Sequence, residues 1–318
     1  MDLKFLDLLS GKAFRPDVLD LTVPLARRFL GQKFAGVSGA LGSDVEKSSP
    51  VYLKLALVEV SKKGEIKISP MEYVETRGFN AQVSVLRDFA TVHGCGHAGV
   101  LLSDSVSASL TDKVPAGLDD LSLFVTLRDS PGKALGMNVD TSRHYAVLRH
   151  PKLNTSLAFS LEKRVVAGAL KVVTSAMLQP VRVQCGFASL MGFVLDKYPD
   201  VFSKGDVLLV SDTGVFYLPA APAADGVLGD WKRPSFKSGA CFRDDLLDFV
   251  RSSLGVPGRG VGKLSVINVS RVDLSPVFSE FKDLEPVVFQ PAGCSARISD
   301  ESGSREVSFL DFKGLCHN

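Results

Sequence analysis

No stretch of the 318 residues carries the roughly 18 to 20 consecutive apolar side chains that a bilayer-spanning helix requires. A secretory leader is also missing on this reading. Met1 to Leu9 sets Asp2 and Asp7 among its apolar residues and lacks a basic start ahead of a clean apolar core. Charge of one sign is scarce: 37 Lys and Arg against 35 Asp and Glu leave a net charge of +2, so nothing global draws the chain to nucleic acid. Cysteine is sparse and odd in number. Cys95, Cys185, Cys241, Cys294 and Cys316 are scattered, which argues against a disulfide framework and fits a reducing compartment. The expectation is a cytosolic protein.

Several catalytic signatures are absent too. No G-x-S-x-G elbow and no H-E-x-x-H occurs. Gly258 to Leu264 resembles a P-loop only superficially. The first glycine position falls on Pro257, and Leu264 stands where a magnesium-binding Ser or Thr belongs. Asp244 and Asp245 are adjacent acids, and neighbours in sequence do not share a helix face. They suit the first turn of a helix instead.

What is present is a large core. Apolar residues make up 45 % of the chain and charged residues 23 %, and the length favours two lobes or one large α/β unit. Residues 1–30 read as an N-terminal arm. Leu3, Leu6 and Leu9 share a helical face there, and Pro16 and Pro24 break the line. Lys33 to Ser43 is rich in Gly and Ser. It allows a phosphate-facing loop, but its glycine spacing fails the dinucleotide pattern, so a mobile connection is favoured. Val51 to Val60 and Glu65 to Ser69 form a hairpin about Ser61 to Gly64.

Asn80 is expected to cap a helix running to His93. Strands follow at Gly99–Ser103, Ser105–Leu110 and Leu121–Leu127, and Ser130 to Pro151 is irregular. A strand over Thr155 to Ser160 leads to a helix capped by Ser160 and ending near Met177. Val181 to Val183 is a strand and Phe187 to Lys197 a helix.

The stretch Asp206 to Leu218 organises the chain. Val207 to Val210 is a continuous apolar run, as for a strand covered on both faces. Asp212, Thr213 and Gly214 supply a turn before Val215 to Leu218. Such a turn allows backbone amides to face a phosphate, and it is equally an ordinary core hairpin. Gly226 to Trp231 reads as a strand, Gly239 to Leu254 as a helix, and Lys263 to Asn268 as a strand. A short helix spans Val277 to Leu284 and a strand Pro286 to Gln290. The tail after Ser299 is polar and reads as partly disordered, with Val307 to Phe312 able to dock.

His93, Cys95 and His97 alternate like metal ligands. A closed zinc site needs four ligands and no second cluster accompanies them, so a helix-to-strand turn is favoured.

The order of these elements resembles the actin-like ATPase superfamily. Within it, PilM-type proteins of type IV pilus assembly are the nearest likeness, followed by the cytoplasmic domain of the type II secretion L component. Val51 to Met71 resembles the first hairpin and Gly99 to Leu127 the small insertion. Leu178-Gln-Pro-Val-Arg-Val183 resembles that group's L-x-P-V-x-V, and Asp206 to Leu218 the second phosphate hairpin. The resemblance implies an α/β, actin-like (ribonuclease H-like) two-lobed fold with a small inserted α/β subdomain. It divides the chain into an arm (1–30), a first lobe (31–155, insertion about 79–150), a second lobe (156–299) and a tail (300–318).

It also implies cofactor-facing roles for Asp212, Thr213 and Gly214, in degenerate form. No D-x-G-x-x-x-x-K run directly precedes Val51. Val215 to Leu218 supplies no second small polar residue, and Ile267 to Ser270 holds no glycine for an adenosine. The implied function is a cytosolic scaffold with no cofactor. It would bind the cytoplasmic peptide of a single-pass inner-membrane pilus or secretion protein and be recruited to the membrane by that partner. It would contact no nucleic acid and insert into no bilayer, with homo-oligomerisation left open. The rival is an active ATPase or sugar-kinase-like phosphotransferase, with ATP and magnesium as cofactors and Asp212 holding the metal through water. A third reading is an unrelated α/β module.

Overall fold

A computed structural model describes residues 29–42, 51–103, 106–114, 117, 120–136, 138–149, 155–202, 205–219, 234–238, 243–255, 262–300 and 303–317. Among the described residues the first elements are β1 (Lys33–Gly39), β2 (Val51–Val60), β3 (Ile66–Thr76), α1 (Gly78–His93) and β4 (His97–Leu102). A small unit follows: β5 (Val106–Thr111), α2 (Asp120–Asp129), α3 (Pro131–Leu135), β6 (Arg143–Arg149) and β7 (Ser156–Glu162). Helix α4 (Lys163–Ser175), β8 (Gln179–Cys185) and α5 (Gly186–Lys197) return to the first sheet.

That sheet has the order β3-β2-β1-β4-β8. Its first three strands are antiparallel, and β4 and β8 then add in parallel. Parallel neighbours need crossovers, which α1 and α4 supply. The second lobe repeats the plan with β9 (Asp206–Ser211), β10 (Gly214–Leu218), β11 (Ser235–Ser238), α6 (Arg243–Leu254), β12 (Gly262–Asn268), α7 (Ser275–Phe278) and β13 (Leu284–Val288). Its order is β11-β10-β9-β12-β13, again three antiparallel strands followed by two parallel ones.

The apolar run of the β9–β10 hairpin is explained by covering on both faces. Val207, Leu209, Phe216 and Leu218 join the large core shared with the first lobe. Leu208, Val210, Val215 and Tyr217 pack with Leu246, Leu247, Val250 and Leu254 of α6. The small unit forms a separate sheet, β5-β7-β6. One face meets α2 and α3 through Leu123, Leu127 and Leu135, while Leu157, Phe159 and Leu161 face the main core.

Several expectations are corrected. Lys33 to Ser43 is not a mobile connection up to Gly39: it is the central strand of the first sheet, with Phe34, Ala35 and Val37 fully buried. Gly36 serves packing there, since a Cβ on it would lie 2.8 Å from the Phe312 ring. Leu121 to Leu127 is helical, because Leu123 and Leu127 lie one turn apart on a buried face. Ser130 to Pro151 contains α3, which starts on Pro131, and the strand β6. Asn80 and Ser160 are not caps: α1 begins at Gly78, and β7 continues to Glu162 before α4.

The polar tail is a packed element. It forms the hairpin β14 (Ser295–Asp300) and β15 (Gly303–Ser308), then α8 (Leu310–His317). Leu310, Phe312, Leu315 and Cys316 are buried in the main core. Gly314 lets α8 approach the α5 backbone, since a Cβ there would lie 2.6 Å from the Ser189 carbonyl oxygen. The helix expected at Leu3 to Leu9 and the strand at Gly226 to Trp231 lie outside the described residues. Among the described residues, no helix is long and apolar enough to cross a membrane.

Candidate functional site

The two lobes meet in a polar cluster that reaches the β9–β10 turn. From the first lobe, the two-residue period of a strand puts Tyr52 and Lys54 on one face of β2. The β2–β3 register sets Tyr73 opposite Lys54. From the second lobe, β12 runs parallel to β9 up to the pair Asn268 and Val210, and the Val269 N–H then donates to the Val210 carbonyl. The chain turns there. Asn268 Oδ1 accepts from the Ser270 N–H at 2.9 Å, and Asn268 Nδ2 donates to the Val272 carbonyl at 2.8 Å. This turn delivers Arg271 to Asp212.

The Asp212 carboxylate accepts the Arg271 backbone N–H at 3.0 Å, and the Arg271 Nε lies 3.7 Å away. Burial pushes the Asp212 carboxyl above the usual range. The Arg271 N–H, the Lys54 and Arg271 charges and the Tyr73 hydroxyl act in the opposite direction. Burial also pushes the Tyr73 phenol well up, with the charges of Asp212 and Asp311 adding to it. Tyr73 therefore stays neutral and also donates to the Val269 carbonyl at 3.3 Å. The Arg271 guanidinium sits over the Tyr52 ring, 3.1 Å from its centroid.

Lys54 forms the second part of the cluster. Its ammonium donates to the Val269 carbonyl at 3.0 Å, the Ser308 carbonyl at 2.9 Å and both Asp311 carboxylate oxygens at 2.9 Å. Its side chain is 1 % exposed and that of Asp311 5 %. One cation thus joins β2, the end of β12 and the start of α8. Burying such a charge is tolerable only when it is paired and hydrogen-bonded in this way.

The turns on either side of the lobe junction use their own polar groups. The Thr213 N–H donates to Ser211 Oγ at 3.4 Å, and that hydroxyl donates to the Gly214 carbonyl at 3.3 Å. Thr213 is buried, and Gly214 already pairs with Ser211 and Ser238 in the ladder. Beyond β1, the Gly42 N–H donates to Gln82 Oε1 at 3.0 Å, and Gln82 Nε2 donates to the Ala40 carbonyl at 3.1 Å. Gly42 has φ +62° and presses on the backbone of α4 at Gly168, where a side chain would not fit.

Of the three residues expected to face a phosphate, only Asp212 reaches the interlobe cluster. Sequence reasoning missed Tyr52, Lys54, Tyr73, Arg271 and Asp311. A signal existed for two of them. Lys54 interrupts a strand that is otherwise nearly all apolar, and Asp311 sits between Leu310 and Phe312. A charge inside an apolar run calls for a buried partner.

His93, Cys95 and His97 are not brought together as ligands. His93 Nε2 is 4.0 Å from Glu72 and its ring packs on Phe89. Cys95 lies in the turn with its thiol pushed up by burial, and His97 packs on Phe29. Among the described residues, no group of three or more His, Cys, Asp or Glu is placed to hold a metal ion.

No family model matches the sequence, and no curated protein matches it. Solved structures do match. A PilM–PilN type IV pilus biogenesis complex gives a TM-score of 0.51 at 12 % identity, covering 80 % of this chain and 88 % of that one. The cytoplasmic domain of EpsL, an inner-membrane component of the Vibrio cholerae type II secretion system, gives 0.43 at 10 %, covering 81 % and 86 %. A Bacteroides thetaiotaomicron protein with an actin-like ATPase fold and unknown function gives 0.45 at 7 %, covering 89 % and 96 %. The chain has an actin-like α/β fold, as its repeated strand order and the likeness to the PilM–PilN structure agree.

Proposed function

We propose that this protein is an actin-like scaffold of a pilus or secretion-type assembly platform, cytoplasmic, with a nucleotide site that has lost its chemistry. It binds an extended cytoplasmic peptide of a membrane-anchored partner. The observation that carries the reading is the state of Asp212. An ATPase of this fold would use that carboxylate to hold magnesium through water. Here its side chain is only 13 % exposed, bonded to the Arg271 N–H and beside the Arg271 guanidinium, which itself lies on Tyr52. The Thr213 and Gly42 amides, which a phosphate would need, are spent on Ser211 and Gln82. What remains is a well-packed two-lobed body, suited to holding a peptide by a groove or sheet edge. The match to a complex of PilM with PilN supports a partner of that kind.

The test is titration of this protein with the cytoplasmic peptides of single-pass membrane proteins encoded beside it. Saturable binding with a Kd of about 1 μM is expected, unchanged by ATP and magnesium. A second reading, an ATPase or sugar-kinase-like phosphotransferase, keeps one supporting observation: Asp212 still stands in a hairpin turn at the lobe junction. Absence of peptide binding together with magnesium-dependent ATP turnover that Asp212→Ala abolishes would replace the first reading with the second.

A further inference from the structure

Four neighbouring strands of the first sheet end on one rim. β1, β4 and β8 start there in parallel, and antiparallel β2 arrives there at Val60. Close approaches tie the turns into one surface. Leu30 lies over the β2–β3 turn, its Cδ2 3.8 Å from where a Cβ on Gly64 would stand. Lys62 folds back on Gly31, and the Lys33 ammonium reaches the α1–β4 turn, 3.4 Å from where a Cβ on Gly94 would stand. The Gln179 N–H donates to the Gly96 carbonyl at 3.0 Å, which brings in the α4–β8 turn at Met177.

This rim carries apolar side chains that the fold leaves unused. Met177 is 84 % exposed and Val92, in the last turn of α1, 79 %. No other large apolar side chain among the described residues is as exposed, and Leu30 adds 47 %. Met177 is also the one non-glycine residue with positive φ among the described residues. A helix end of that shape favours glycine, so methionine there costs stability and returns no packing. A partner outside the chain accounts for it. Lys33, Lys62 and Lys63 are exposed beside these residues, with Glu65 the exposed acid of the same turn. No ion pair among the described residues occupies the three lysines. Behind the rim, Glu59 is answered by Lys67, Glu72 faces His93, and Asp88 follows Arg87 on α1.

We propose that this rim rests on an anionic phospholipid surface, with Lys33, Lys62 and Lys63 at the headgroup phosphates and Leu30, Val92 and Met177 reaching the upper acyl chains. Lone protruding apolar side chains with lysines between them match a fluid surface, which closes around each one. A protein partner would call for a continuous apolar centre inside a polar border. Neighbouring strands lie about 4.8 Å apart, so the four strand ends span about 15 Å and engage the surface together. The contact is peripheral, since no helix among the described residues crosses a bilayer. The inference deepens the proposed function and rests on it for the location at a membrane. Vesicle binding needs no peptide, so the two readings can fail separately.

Co-sedimentation of the full chain with vesicles tests this. One set holds phosphatidylglycerol and phosphatidylcholine at about 1:2, the other phosphatidylcholine alone. Binding to the first set and not to the second is expected, with release at about 0.5 M salt. Lys62→Glu combined with Lys63→Glu should weaken binding about tenfold or more. Met177→Gly is the decisive variant. It should raise the melting temperature and yet weaken vesicle binding about threefold, a combination that no folding defect produces. Val288→Ser, at an exposed position of the second lobe, should bind like the parent. Three results would each overturn the proposal: no binding to the anionic vesicles, equal binding to both sets, or parent-like binding by Met177→Gly. Loss of partner-peptide binding in the lysine variant, with no vesicle binding by the parent, would make the rim a protein contact instead.

Discussion

The two lobes share one strand order and differ in where their cover comes from. In the second lobe, one face of β9 and β10 packs against α6, which follows them after β11. In the first lobe, the central strand β1 packs against α8, which arrives from the other end of the chain: Gly36 meets Phe312, and Gly314 meets the backbone of α5. The lesson is that one topology can be assembled from local or from distant contacts. A first lobe that depends on α8 cannot finish its core until residues 310–317 are present. The Lys54 joint sits at this same dependence, since it holds Ser308 and Asp311.

That contrast can be broken experimentally. The largest effect is expected from Lys54→Ala, which leaves the buried Asp311 carboxylate without its cation. A loss of about 3–5 kcal/mol should appear in urea unfolding. The matched change in the second lobe, Leu246→Ala, empties a buried position of α6. It should cost about 2–4 kcal/mol and raise hydrogen exchange in β9 and β10 while sparing β1. Gly314→Val should do the reverse, costing about 1–3 kcal/mol by overpacking and exposing β1 first. If Leu246→Ala and Gly314→Val loosen the same strands, the lobes are not separately covered and the comparison fails.

Smaller effects sharpen it. Met177, at the end of α4, has φ +62° and is 84 % exposed. It ends that helix in the left-handed form that glycine adopts freely. Met177→Gly should therefore stabilise the protein by about 1 kcal/mol, seen as a raised melting temperature.

Asp212 gives the smallest effect, with a defined sign. Its folded-state pKa is raised by burial. The stability it contributes is present at low pH and is lost as pH rises through the raised value. Relative to Asp212→Asn, the parent should gain stability as pH falls from 7 toward about 4. A parent that loses ground to the variant over that window would mean that Arg271, not burial, controls the carboxyl.

How much of this is legible in the sequence follows the same divide. Much of the second lobe is legible because its signals are local, although β11 escapes them and the helix expected over Val277 to Leu284 is the single turn Ser275–Phe278, with Leu284 opening β13. An unbroken apolar run, a turn of Asp, Thr and Gly, and a helix with acids in its first turn each report on neighbours in sequence. The strand β1 is not. Its Gly and Ser read as a linker because the reason for Gly36 is a ring near the other end of the chain, at Phe312. The polar hairpin β14–β15 reads as a tail for a similar reason, since Ser308 owes its place to a lysine on β2. At the site, the turn that holds Asp212 marks it out. Nothing local marks Arg271, because the parallel pairing of β12 with β9 is what brings it there. Tyr52 and Tyr73 read as ordinary strand residues, and only the cross-lobe contact gives them a role.

The central claim is that this lobe junction is held by its own side chains and not by a nucleotide. Thermal unfolding with and without saturating ATP and magnesium tests it most directly, because a ligand that binds the folded state must raise its melting temperature. The melting temperature is expected to stay where it is. A clear rise that Asp212→Ala removes would contradict the account and return the β9–β10 turn to the chemistry of an ATPase.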